Sequence, residues 1–196
     1  MARPVNEKRP AELRKAILEY LLRHGLTGLS LRPLAKALGC TPRVLLYHFG
    51  SKEKMVGEVL AEIRDRQRAA YDRLPAPTFA EACKAIWKRM SAPDSEPLFR
   101  LFFETYGMAL RRPRLYKVFL HHTVEYWLRD IAEPLCREGC DRREARAFAT
   151  VILAGMRGFM LDFCTTHDRK RLDRAVALWL GTLNRLLPAP DMAGKV

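Results

Sequence analysis

Residues 30–54 read SLRPLAKALGCTPRVLLYHFGSKEK, a pattern that indicates two short helices and the start of a third. Ser30 precedes apolar residues at helical spacing, so it is predicted to cap the first helix. Gly39 suits the end of that helix, because glycine readily adopts a positive φ. Thr41 and Pro42 are a typical cap and first residue of the next helix. The two helices are therefore separated by a turn of only a few residues.

Two short helices joined in this way form a helix-turn-helix, whose second helix lies in the major groove of DNA. Spacing in the second helix turns Leu45 and Phe49 inward. The remaining polar and small side chains lie on or beside the outer face, where they are able to contact bases and phosphates. They are Arg43, Val44, Tyr47 and His48.

The next helix is predicted to begin beside this DNA-contacting face of the second helix. Gly50 ends the second helix and Ser51 caps the third, whose first turn carries Lys52 and Lys54. Unpaired N–H groups and two ammonium groups then point the same way, which favours a phosphate.

The stretch resembles the DNA-binding domain of TetR-type transcriptional repressors. The resemblance extends over roughly residues 10 to 60 and is carried by His24-Gly25, Leu38-Gly39, Leu45-x-Tyr47-His48-Phe49 and Ser51-Lys52-Glu53. It implies base contacts by Arg32, Pro42, Arg43, Val44 and Tyr47, phosphate contacts by His48 and Lys52, and a place for Thr41 at the same surface. Two positions depart from the family pattern: Leu46 replaces a common aromatic residue, and Leu31 replaces a common threonine.

The predicted fold is all-α, with about nine helices in two domains. Residues 1–54 are expected to form the helix-turn-helix domain, preceded by a basic arm, and residues 55–188 a helical effector-binding and dimerisation domain. Residues 189–196 are expected to be a tail. Pro75 and Pro77 are predicted to end the long third helix, because proline cannot continue one.

The last two predicted helices carry more apolar residues than one core-facing stripe requires. Residues 148–163, FATVILAGMRGFMLDF, are apolar nearly all round, which predicts burial on both sides. A two-fold four-helix interface between two copies would cover this surplus, whereas a thick core within one chain is the alternative. The family resemblance implies the dimer. The expected interface residues are Ile152, Gly155, Gly158, Phe159, Leu178, Trp179, Leu183 and Leu186.

Aromatic residues in the predicted second domain form a candidate cavity for a small, mostly apolar effector. They are equally compatible with an ordinary core. The candidates are Phe99, Phe103, Tyr106, His122, Tyr126, Trp127 and Phe159.

The composition supports a nucleic-acid partner. The 196 residues carry a net charge of +13, and residues 1–54 hold 11 Lys and Arg against 4 Asp and Glu. Such a basic surface is the electrostatic footprint of nucleic-acid binding. No stretch is expected to reach spanning length and the start lacks an apolar signal core, so a cytoplasmic protein without a membrane partner is predicted.

Three other functions compete with that of a homodimeric, ligand-released repressor of a palindromic operator. An enzyme is disfavoured, because no phosphate loop, nucleophile elbow or catalytic pair is visible. A metal or redox sensor would use Cys136, Cys140, Cys164 and His167, but the spacing is poor for a metal site and no metal or cofactor is predicted. A non-specific basic DNA binder would show weak sequence preference and a steep salt dependence.

Overall fold

The computed structural model describes residues 10–71, 73, 79–137 and 139–186. Over these residues the chain forms nine α-helices and no strand, as predicted. They are α1 (Pro10–His24), α2 (Leu31–Ala37), α3 (Pro42–Phe49), α4 (Lys52–Tyr71), α5 (Phe79–Met90), α6 (Glu96–Arg111), α7 (Lys117–Arg137), α8 (Arg142–Thr166) and α9 (Arg169–Leu186). The basic arm, Pro75, Pro77 and the tail lie outside the described residues.

The described residues divide into two compact units. The first takes those up to Ala69 together with Arg100–Leu120, and the second takes the rest up to Phe99 and from His121 onward. The predicted boundary between residues 54 and 55 falls inside α4. The assignment of DNA binding to residues 1–54, and of effector binding and dimerisation to residues 55–188, remains a prediction.

The core of the first unit is made by apolar residues that recur at helical spacing. Leu13, Ile17 and Leu21 of α1 are at most 2% exposed, and Leu45 of α3 is 1% exposed. Burying one such aliphatic side chain contributes about 1.5–3 kcal/mol. The short helices α2 and α3 are therefore held by this packing, since helices of seven or eight residues are marginal alone.

In the second unit, α8 contributes one buried face instead of being buried all round. Its buried residues recur every three or four positions and are Ala145, Ala149, Ile152, Met156, Met160 and Phe163. Val151 and Leu161, on the other side, are 46% and 53% exposed. The second side of α8 is therefore exposed in the single chain, and its burial against a second copy stays a prediction.

By length and composition, α8 would be able to cross a membrane, and 28% of the residues in its most apolar window are buried within the chain. The core helix of a globular protein passes the same test. The expectation that no stretch reaches spanning length is therefore wrong by length and composition. It overlooked that α8 carries both a buried and an exposed apolar face.

Two glycines of α8 have different surroundings. A Cβ at Gly155 would lie 2.4 Å from Cζ2 of the Trp179 ring, whereas a Cβ at Gly158 meets nothing within 4 Å. The absence of a side chain at Gly155 therefore serves the packing of α8 on α9 within the chain. At Gly158, no contact among the described residues requires the absence of a side chain.

We predict opposite effects of alanine at these two positions. Gly158→Ala should be neutral or stabilise the protein by up to about 1 kcal/mol, because alanine is the better helix former. Gly155→Ala should instead destabilise it by about 1–3 kcal/mol, since the rigid indole ring must move. Urea unfolding of both variants measures the difference, and equal stabilities would contradict the contact.

Candidate nucleic-acid interface

The turn between α2 and α3 is closed by backbone hydrogen bonds. The N–H of Leu38 donates to Leu34 O at 3.0 Å, and the N–H of Cys40 donates to Ala35 O at 2.9 Å. Gly39 has φ +68°, the left-handed conformation predicted for it. The turn is short because the chain reverses direction at this single residue.

The start of α3 follows the predicted capping scheme. Thr41 has an extended backbone, and its hydroxyl accepts a hydrogen bond from the N–H of Val44 at 3.4 Å. Pro42 is the first residue of the helix, where a missing N–H is harmless. Ser30 occupies the corresponding position before α2, but its side chain makes no capping bond. Ser30 is therefore the N-cap residue of α2, as predicted, but it does not cap the helix through its hydroxyl.

The outer face of α3 is open to solvent. Leu45 and Phe49 are 1% and 4% exposed, as predicted, whereas Tyr47 is 85% exposed and its ring meets that of His48 edge-on at 5.4 Å. Arg43 is also exposed, and Pro42 and Val44 are half-buried beside it. A phenol, a guanidinium and an imidazole thus project from one two-turn helix.

Leu46 joins this face at 42% exposure, in place of the aromatic residue common in TetR-type proteins. It brings no hydrogen-bonding group. Arg32 is exposed in the first turn of α2.

The first turn of α4 carries an ordered lysine. Ser51 Oγ accepts from the N–H of Lys54 at 3.1 Å, so Ser51 caps the helix as predicted. Lys52 Nζ donates to the carbonyl of Leu29 at 3.2 Å. An ammonium has three donors, so two remain available to a phosphate after this bond is made. The bond holds the Lys52 charge beside the start of α2.

A carboxylate that sequence analysis missed holds the turn before α2. Glu104 of α6 accepts from the N–H of Leu26 at 2.9 Å, and from both the N–H and the hydroxyl of Thr27 at 2.6 Å. Sequence alone carries no signal for this contact, because 77 residues separate Glu104 from Thr27. It ties α6 to the segment that leads into the helix-turn-helix.

Glu104→Ala should lower the free energy of unfolding by about 1–3 kcal/mol, because two backbone N–H groups lose a charged acceptor. Glu58→Ala is the control, since Glu58 is exposed on α4 of the same unit. Urea denaturation followed by circular dichroism gives both values. Equal effects of the two substitutions would contradict a structural role for the Glu104 bonds.

The predicted effector residues are distributed over both compact units. Phe103 and Tyr106 belong to the first, where Phe102 meets their rings at 5.2 and 5.7 Å. Within the second unit, His122 meets Tyr126 at 5.1 Å, and Phe159 meets the rings of Trp87 and Trp179 at 6.0 and 5.3 Å. Phe99 and Trp127 are half-buried in that unit. An effector role for these residues remains a prediction.

The predicted dimer residues fall into two groups. Ile152 and Leu183 are 3% and 8% exposed within the single chain, and Gly155 and Phe159 pack against the Trp179 ring between α8 and α9. Gly158, Leu178 and Leu186 are exposed. This second group presents the more open surface to a second copy, because Gly155, Phe159 and Trp179 are half-buried.

Two of the five cysteines, Cys83 and Cys140, are buried and have the character of packing residues. None of the five is part of a disulfide bond, and burial raises the pKa of Cys83 to about 12. Burial likewise raises the pKa of Cys140, helped by Glu144, Cys136 and Asp141. Raised pKa values lower thiolate reactivity. Within the described part of the chain, no three His, Cys, Asp or Glu side chains are grouped to hold a metal ion.

Comparison with known proteins agrees with this geometry. Residues 13–59 match the sequence profile of a family described as bacterial regulatory proteins, tetR family. A search of curated proteins gives no match.

Solved structures with the same fold cover nearly the whole chain. A transcriptional regulator from Rhodococcus sp. Rha1 is 20% identical, with a TM-score of 0.75 over 91% of this chain and 97% of its own. A putative TetR-family regulator from Rhodococcus sp. is 19% identical, with a TM-score of 0.73 over 91% and 100% of the two chains. A TetR variant from Acinetobacter baumannii, solved in complex with minocycline, is 14% identical, with a TM-score of 0.62 over 91% and 98%. At these identities the likeness concerns the fold.

The helix-turn-helix and the helical region that follows it in the chain define a DNA-binding transcriptional regulator. Residues 13–59 are its TetR-type DNA-binding domain.

Proposed function

We propose that the protein is a homodimeric repressor that binds a palindromic operator and is released by a small, mostly apolar effector. The exposed face of α3 carries the proposal: Tyr47 is 85% exposed and stands beside Arg43 and His48. A large aromatic side chain so exposed contributes nothing to the core, whereas its hydroxyl and ring suit contact with DNA. Such a regulator acts in the cytoplasm, where bacterial DNA lies.

The proposed readers divide by chemistry. Arg43 and Arg32 suit guanine, to which a guanidinium binds in bidentate fashion. Tyr47, Val44 and Pro42 supply apolar and hydroxyl contacts to neighbouring bases. Thr41, His48 and Lys52 lie at the ends of α3 and the start of α4, where phosphates would pass.

A symmetric operator requires two copies of the reader. In a two-fold dimer the two α3 helices meet successive major grooves about 34–36 Å apart. Selection of bound fragments from random duplexes tests this directly. A palindrome with that half-site spacing supports the proposal, whereas an asymmetric or featureless selection contradicts it.

Exposed residues of α8 and α9 form the proposed dimer face. On α8 they recur at helical spacing as Val151, Ala154, Gly158 and Leu161, and on α9 Leu178 is 74% and Leu186 64% exposed. Small residues at the centre of the α8 stripe would allow a second helix to approach closely. Burying this face against a two-fold copy would remove it from water.

Release from DNA requires only that the effector binds two conformations of the dimer with unequal affinity. The half-buried aromatic residues of residues 55–188, the expected effector-binding region, are the proposed contacts for such a molecule. The related fold that was solved with minocycline shows that one such protein accommodates a small molecule.

Arg43→Ala or Tyr47→Ala should weaken binding to the selected operator by about 1–3 kcal/mol and leave binding to unrelated duplexes nearly unchanged, because base contacts carry the sequence preference. Arg174→Ala, an exposed arginine of α9, is the charge-matched control for Arg43. Fluorescence anisotropy on both duplexes measures the ratio. Equal losses on both duplexes would contradict base reading by these side chains.

Gly158→Trp should convert the dimer to a monomer, since a large side chain would stand in the centre of the proposed interface. Gly107→Trp is a matched control: this glycine is also helical and exposed, and no atom of the described residues lies within 4 Å of its Cβ position. Sedimentation velocity reports the mass of each variant. A Gly158→Trp protein that remains dimeric would place the interface elsewhere.

A further inference from the structure

The turn between α6 and α7 concentrates positive charge. We refer to residues 110–118 as the basic turn; the cations in it, all exposed, are Arg111, Arg112, Arg114 and Lys117. No acidic residue occurs between Glu104 and Glu125. Within the described part of the chain, none of the four side chains makes a salt bridge or a hydrogen bond. Their charge is therefore available to a partner.

The basic turn is held in one conformation. Tyr116 and Phe119, which flank Lys117, are 3% and 8% exposed. The N–H of Leu115 donates to Arg112 O at 3.1 Å, and the N–H of Leu120 donates to Tyr116 O at 2.9 Å. The cations consequently project from a packed backbone, so little ordering entropy is lost when they bind.

This turn belongs to the same compact unit as the helix-turn-helix. Tyr116 of the turn lies close enough to Glu53, in the first turn of α4, for this carboxylate to raise its pKa after the larger effect of burial. That first turn carries Lys52 and Lys54. Further back along α6, Glu104 binds the segment leading into α2. The basic turn thus lies beside the end of the unit that carries the proposed phosphate contacts.

We propose that the basic turn is a second DNA-contact surface, which binds phosphates flanking each operator half-site without reading bases. Charge complementarity identifies the partner, since four unpaired cations match a backbone with one charge per about 1.7 Å of duplex. The inference rests on the proposed function for the position of the half-site. It extends the footprint beyond the bases that α3 reaches.

An anionic lipid surface is the competing partner. Leu110, Leu115 and Val118 are 62%, 56% and 67% exposed within the same turn, and aliphatic side chains among cations suit a membrane interface. DNA is favoured because the unit that carries the turn is the DNA-binding unit. The aliphatic residues supply the means of separating the two partners by experiment.

The test compares two variants of equal charge loss. In the first, Arg111, Arg112, Arg114 and Lys117 are all replaced by Gln. In the second, the same replacement is made at four exposed cations of the other unit, which are Lys84, Lys88, Arg142 and Arg143. Each is titrated with the minimal selected duplex and with the same duplex lengthened by about 10 base pairs per side, at several salt concentrations.

The wild type should bind the lengthened duplex more tightly than the minimal one. The basic-turn variant should lose about tenfold or more of that gain, and its salt slope should fall by about 0.9 for each phosphate that it no longer neutralises. Its affinity for the minimal duplex should stay within about twofold of wild type, and the second variant should behave as wild type on both duplexes.

Three results would overturn the proposal. In the first, the basic-turn variant binds both duplexes as wild type does. In the second, it loses equal affinity for both, which would indicate that the four cations act only through the overall positive electrostatic field of the protein. The third is binding of wild type to phosphatidylglycerol vesicles that Leu115→Ser abolishes, with DNA binding unchanged in the basic-turn variant. Circular dichroism checks that each variant is folded. If the fourfold variant misfolds, the variant in which only Arg114 and Lys117 are replaced by Gln takes its place in the same titrations.

Failure of the proposed function would look different. A wild type that selects no symmetric operator contradicts the repressor proposal, yet the basic turn is still testable on one long duplex of arbitrary sequence. There the basic-turn variant should lose affinity while the equal-charge control should not.

Discussion

The two left-handed glycines at residues 39 and 50 are the constraint on which the DNA-binding unit depends. Their φ angles of +68° and +75° end α2 and α3 after seven and eight residues. Most L-residues disfavour this conformation, so the chain breaks where the glycines stand. Leu34 and Leu45, both at most 1% exposed, then hold the two helices on a common core. Because only Leu45 and Phe49 of α3 are buried, most of that helix is left to face outward.

Contacts between neighbours in sequence were predictable, and contacts between distant residues were not. Thr41, Pro42 and Ser51 act where capping chemistry places them. The Glu104 bonds to residues 26 and 27 arise only from packing. Ser30 shows the same limit on a smaller scale, since a residue type suited to capping does not guarantee the bond. The exposure of the α3 face could be predicted from spacing, whereas its function remains a proposal.

Salt bridges are unevenly placed, and this bears on function. On the surface of the second unit, Arg146 pairs with Glu125 at 2.9 Å and Arg171 with Asp162 at 2.5 Å, a hydrogen-bonded pair that lowers the pKa of Asp162. Within the described residues, Arg32 and Arg43 of the helix-turn-helix make no such pair. Exposed pairs contribute only about 0–1 kcal/mol, so their absence costs little stability. It leaves the full charge of the reader available to a polyanion.

The apolar surplus of α8 and α9 would be covered differently by lipid and by a second copy. Insertion of α8 into a bilayer would require Met156, Met160 and Phe163 to leave the core, where each is at most 7% exposed. It would also expose the guanidinium of Arg157, which donates a hydrogen bond to Thr123 O, at great cost in hydrocarbon. A second copy needs neither change, since Val151, Leu161 and Leu178 already face outward. Two-fold symmetry would bury each of them twice, at about 1.5–3 kcal/mol per fully buried side chain. The proposed dimer is therefore the arrangement that covers the exposed face while leaving the buried one intact.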